Sequence, residues 1–143
     1  MKRGWLLVLL LVGCGKEVGR VALVGEGSGD ASVTLSANQA VALWTSLDAS
    51  WTGAWHAGYT VELRDSSGKP VSTTTCDPFN VNTKTSSVIT NLNDHHAWSY
   101  NGKMSCAFTA PTAGTYTVHA TMAYGAPKPP DLVVKDISLV IKI

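Results

Sequence analysis

Apolar and polar residues alternate along most of this chain, and a period of two is the mark of half-buried strands. In the run Tyr59 to Arg64, Tyr59, Val61 and Leu63 point one way, while Thr60, Glu62 and Arg64 point the other. The stretch from Asp65 to Pro70 carries Gly68 and reads as a hairpin connection. Pro70 to Cys76 returns as the next strand, because residues branched at Cβ suit a pleated surface. In that strand Cys76 falls on the face opposite Val71, a parity that a bulge or a strand end would resolve. Asn101-Gly102 reads as a tight turn, followed by a strand with Met104, Cys106 and Phe108 on one face. Pro111 to Gly114 makes a corner. Beyond it Tyr116, Val118, Ala120, Met122 and Tyr124 face inward, and Thr117, His119 and Thr121 outward. Ile137, Leu139, Ile141 and Ile143 share the inner face of a last strand. Earlier strands are expected at 20–24, 32–36 and 40–47. Past Cys14 no stretch keeps an apolar period of 3.6 over the length of a helix. The pattern predicts an all-β fold, a single antiparallel β-sandwich over residues 20–143.

The first residues break the pattern. Lys2 and Arg3 form a short positive segment, and Trp5 to Val12 is an unbroken apolar run, too short to cross a bilayer as a helix. Leu11-Val12-Gly13-Cys14 resembles the lipobox of bacterial lipoproteins: an aliphatic residue, a small or β-branched residue, Gly, Ala or Ser, then Cys. The resemblance implies that residues 1–13 are a signal peptide that is removed. It also implies that Cys14 becomes the acylated first residue of the mature chain, with 14–19 as a short tether. Gly15 follows the Cys where inner-membrane retention in enteric bacteria usually needs Asp, so the resemblance favours the outer membrane, on its periplasmic or surface face. Of three cysteines, lipidation uses Cys14 and leaves Cys76 and Cys106 as an even pair for a disulfide in an oxidising compartment.

The stretch Phe108 to Ala120 resembles the corner before a late strand in immunoglobulin-like and fibronectin-type modules. There a Tyr near the strand start bonds back across the corner, and Tyr116 occupies the matching position. The residue two positions on is Val118 rather than the intersheet Cys of antibody domains. The resemblance therefore implies an immunoglobulin-like architecture, with Cys76–Cys106 as a local staple.

Charge and composition narrow the function. Among 143 residues 15% are charged, and the net charge is +1. Removing Lys2 and Arg3 brings the balance to −1. No Lys/Arg cluster gives the electrostatic footprint of nucleic-acid binding. The run Gly25 to Gly29 lacks the spacing of a phosphate-binding loop and reads as a turn. Asp94-His95-His96 is the densest ligand-like cluster. Adjacent histidines on a strand point to opposite faces, so solvated loop side chains are the reading and no metal site is expected. No Ser or Thr sits in a nucleophile motif, and neither an enzyme nor a cofactor is expected. Trp51 and Trp55 with Tyr59, and Trp98 with Tyr100, form two aromatic clusters. Most of these rings are expected to pack the core or loops. If exposed, Trp51, Trp55, Trp98 and Tyr100 would suit stacking on a sugar ring. The sequence thus predicts a lipid-anchored envelope protein, held to the membrane by its N-terminal lipid and serving as a structural or adaptor part for an envelope protein partner. Glycan or peptidoglycan binding through exposed Trp and Tyr is the alternative.

Overall fold

The computed structural model describes residues 15–143; the expected signal segment and Cys14 lie outside them. The described residues form nine strands: β1 (Glu17–Ala22), β2 (Gly27–Leu35), β3 (Ala40–Thr52), β4 (Ala57–Arg64), β5 (Pro70–Cys76), β6 (Val81–Leu92), β7 (His95–Thr109), β8 (Gly114–Tyr124) and β9 (Val133–Lys142). They build two antiparallel sheets, ordered β1-β9-β3-β7-β6 and β2-β8-β4-β5. The sandwich of immunoglobulin-like architecture is therefore present. With β6 set aside, the strand order is that of a jelly roll, in which early strands alternate between the facing sheets. β6 is the addition, laid along the outside of β7.

The alternating positions meet between the sheets. Leu43, Leu47, Ile137, Leu139, Ile141, Met104 and Phe108 from one sheet pack against Val33, Leu35, Tyr59, Val61, Leu63, Val118 and Met122 from the other, all nearly inaccessible to water. Each such side chain contributes about 1.5–3 kcal/mol on burial. One hydroxyl pair crosses this core. Thr45 Oγ1 and Tyr59 Oη lie 2.8 Å apart, so neither is left unsatisfied. The corner forms as the sequence indicated: Tyr116 donates its hydroxyl proton to the Thr112 carbonyl at 2.6 Å.

Cys76 and Cys106 are bridged, with Cα atoms 5.5 Å apart. Cys76 ends β5 and Cys106 lies in β7, so the bridge joins the two sheets and is not the local staple expected. The parity of β5 is resolved simply: Cys76 is buried and Val71 is exposed, 40% of it open to solvent.

β2 starts at Gly27, inside the run 25–29 read as a turn, and β3 runs on to Thr52 rather than 47. Three further features differ from the sequence reading. Asn101-Gly102 is not a turn but lies inside the 15-residue β7. Glycine is needed there for packing: a Cβ on Gly102 would sit 2.7 Å from Cγ1 of Val81. The actual turn is Asn93-Asp94, both at positive φ (50° and 67°), a two-residue hairpin joining β6 to β7. The second difference is β6 itself, for which no strand was expected. The third is β1, which starts at Glu17 and draws residues 17–19 out of the expected tether. Lys16 and Ile143 exchange backbone hydrogen bonds at 2.9 Å in both directions, which closes the sheet up to Lys16.

Candidate functional site

The aromatic clusters come together at the end of the sandwich opposite Gly15, and they point inward. Trp51 stands 5.0 Å from Trp55 and 5.2 Å from Trp98, ring centroid to ring centroid. Phe79 lies 5.2 Å from Trp55, and Tyr124 closes its far side at 5.3 Å. Most of these contacts are edge-to-face, the arrangement favoured by ring quadrupoles. Trp51, Trp55 and Tyr100 are 3–5% exposed, and Trp98 is half-buried. Trp51 Nε1 donates to the Gly53 carbonyl, Trp98 Nε1 to Asn91 Oδ1, and the Tyr100 hydroxyl to the Pro78 carbonyl. Burial, with the nearby Asp77 charge, pushes the Tyr100 hydroxyl up to about 12. These rings plug one end of the core. The stacking surface that glycan binding would require is not formed by Trp51, Trp55 or Tyr100.

His95 and His96 are not the solvated loop side chains expected: they open β7, and they separate as adjacent strand residues must. His95 lies on the side of Thr52 Oγ1 (3.0 Å) and the Asp131 carboxylate (3.8 Å), while His96 packs on the Trp51 ring. Asp131 also accepts from the Thr52 hydroxyl and amide, at 2.6 and 2.9 Å, and these bonds hold its carboxyl below the usual carboxylate range. They pin the segment before β9 to the end of β3. Among the described residues no group of three or more His, Cys, Asp or Glu is placed to hold a metal ion.

Strands β1, β2 and β5 are sheet edges as well as β6, and two grooves lie on the outer face of the five-stranded sheet, beside its β6 edge. Nearest Gly15 is a groove of about 460 Å³ with Trp44 on its floor, Ala40 and Ala42 beside it, and Lys103, Lys142 and Thr83 around it. Trp44 is only 6% exposed, because Lys142 Nζ sits 3.9 Å from the ring centroid. Val140, beside Trp44 in the ladder, is also covered, as is Ser138, so the middle of β9 is buried on both faces. Toward the other end is a groove of about 360 Å³ between Val88 of β6 and Val133 and Lys135 of β9, with Asp48 and His95 beside them.

β6 pairs with β7 along one side, and among the described residues no strand pairs with the other. All 12 of its residues are exposed or half-exposed. Its first half carries Lys84, and the register shifts around Ser86, at φ 52°. A charge and a bulge are the usual guards of a free edge. Val88 to Leu92 has neither. Val88 is 65% exposed, Ile89 38% and Leu92 66%. Sequence reasoning passed over β6 because strand patterning records burial, and a strand exposed on both faces leaves no alternation. The only signal is its β-branched content: Val81, Thr83, Thr85, Val88, Ile89 and Thr90.

No known protein family matches the sequence, and no curated protein does. Among solved structures, a chain in the structure of infectious bursal disease virus, Gt strain, is similar over 93% of this chain and 30% of its own, at 11% identity and a TM-score of 0.38. A likeness that faint carries nothing about function.

Proposed function

We propose that this protein is a lipid-anchored, non-catalytic adaptor of the bacterial cell envelope, held at Cys14 and binding an extended segment of an envelope protein along β6. The observation that carries this reading is the free edge itself. A β6 edge of 12 residues offers a row of unpaired main-chain donors and acceptors, and its last five residues are uncharged, with Val88 and Leu92 about two-thirds exposed. The chemistry of such an edge calls for another strand: main-chain hydrogen bonds supply affinity, and alternate side chains find pockets on either face. The groove between Val88 and Val133 would take those on the outer face. The anchor rests on the lipobox resemblance at 11–14. The Cys76–Cys106 bridge suits an oxidising compartment.

Two experiments test the two halves. A photo-crosslinking residue placed at Val88 or Leu92 should form an adduct with another envelope protein in cells, and the V88K/L92K variant should not compete for that partner. No adduct from either position overturns the adaptor reading; an adduct with a second copy alone replaces it by self-pairing. For the anchor, Cys14→Ser should move the protein to the soluble fraction. Fractionation identical to wild type would refute lipidation.

A further inference from the structure

We infer that the end of the sandwich carrying Gly15 lies flat against the lipid headgroups, with Lys16, Lys103 and Lys142 as its membrane contacts. The inference rests on the anchor at Cys14 and adds what the anchor alone does not say: orientation and contact. Its ground is the length of free chain. A six-residue tether would let the domain wander roughly 20 Å from the bilayer, at about 3.3–3.6 Å per residue. The sheet consumes that tether. Lys16 is locked to Ile143 by two backbone hydrogen bonds of 2.9 Å, and β1 follows at once. Cys14 is two residues from Lys16, so their Cα atoms are at most about 7 Å apart.

That distance is shorter than the Debye length of about 8 Å at physiological salt, so the charge of Lys16 falls inside the field of an anionic membrane surface. The charges present there are of the matching sign. Lys16 is exposed, and Lys103 and Lys142 line the groove that also contains Gly15 and Ile143. The one acidic side chain beside them, Glu17, is paired with Arg20 at 3.3 Å. The neighbouring turns at 36–39 and 110–113 carry no charged residue, and the 65–69 hairpin at the same end of the other sheet carries one of each sign, Asp65 and Lys69. The far end is mixed in sign: Glu26, Asp94 and Asp131 are exposed there, and so are Lys128 and Lys135.

The test uses the full lipidated protein in vesicles of phosphatidylethanolamine and phosphatidylglycerol, treated with a water-soluble amine reagent and read residue by residue by mass spectrometry. Lys16 and Lys103 should react several-fold more slowly in vesicles than in detergent, while Lys128 and Lys135 react equally in both. Inserting a Gly/Ser linker of about twelve residues between Cys14 and Gly15, with a mean reach of roughly 20 Å, should restore the reactivity of Lys16 and Lys103. Equal labelling of all four lysines on protein that floats with the vesicles overturns the apposed geometry and leaves the anchor standing. Failure to float with vesicles overturns the anchor itself.

Discussion

Removing the intersheet bridge should cost this protein a large share of its stability, and the cost should be felt first at β6. The bridge closes a loop with a sequence separation of 30 residues. On the chain-entropy model such a loop contributes about 3–4 kcal/mol by restricting the unfolded state. For a domain of this size that is a fall in Tm of roughly 10–15 °C. The same 30 residues contain the whole of β6, its hairpin turn and the first part of β7. The bridge therefore ties down the excursion that adds β6 to the sheet. Both sulfur positions are buried, so Cys76→Ala with Cys106→Ala is the cleaner perturbation, since serine would place hydroxyls in the core. Urea titration of the variant, and of the wild type with and without reductant, measures the loss. Amide hydrogen exchange then locates it, with protection in β6 and the start of β7 falling before that in β3, β9 and β8. A loss below about 1 kcal/mol, or uniform loss of protection, would refute the reasoning.

Two further outcomes follow from packing and titration. Gly102→Ala should destabilise by about 1–3 kcal/mol, because the added Cβ meets three Val81 carbons at 2.7–2.9 Å. Val81→Ala in the same chain should recover part of that in chemical denaturation, and a merely additive double variant would exclude this contact as the cause. The alkaline limb of stability should begin near pH 10. Burial raises the Tyr100 hydroxyl from 10.0 to about 12, so its contribution is complete below pH 10 and is lost as pH rises through about 12. Tyr59 and Tyr124 are shifted the same way, again chiefly by burial. Tm measured from pH 8 to 12 should fall above pH 10, and less steeply in Tyr100→Phe; parallel curves would remove Tyr100 from the account.

The elements that the sequence made legible are those with one wet and one dry face. β4, β8 and the second half of β7 alternate cleanly, and their inward residues are the core. The elements it hid depart from that condition in opposite directions. The middle of β9 is covered on both faces, because Lys142 and Trp44 roof the outside, and only its inner residues were anticipated. β6 is exposed on both faces and was not anticipated at all. Gly102 misled for a related reason: Asn-Gly marks a hairpin in local sequence, but here the glycine is required by Val81, about twenty positions away. The aromatic clusters were placed in the core or loops by preference. The five-ring plug they form with Phe79 and Tyr124 was beyond local reading, because its members come from β3, β7, β8 and two connections.

The direction in which β6 runs connects the two proposals. Its first residues lie nearer the Gly15 end, since Thr83 and Thr85 line the same groove as Gly15. Its last residues run to the hairpin at Asn93-Asp94, beside Thr52 and the plugged far end. The guards of this edge, Lys84 and the Ser86 bulge, thus sit in the half nearer Gly15. The unguarded run Val88 to Leu92 sits in the half held away from it. In the proposed orientation, flush with a membrane, only the far half can meet a partner without a steric contest with headgroups, and that is the half where the edge is bare. If the order were reversed, with the apolar run beside Gly15, the exposed Val88 and Leu92 would be better explained by insertion into lipid. Moving the crosslinking residue from Val88 to Thr83 separates these readings: Thr83 should yield lipid adducts or none, and Val88 a protein adduct. Protein adducts of equal yield at both positions would place the partner along the whole edge and contradict a membrane-apposed groove.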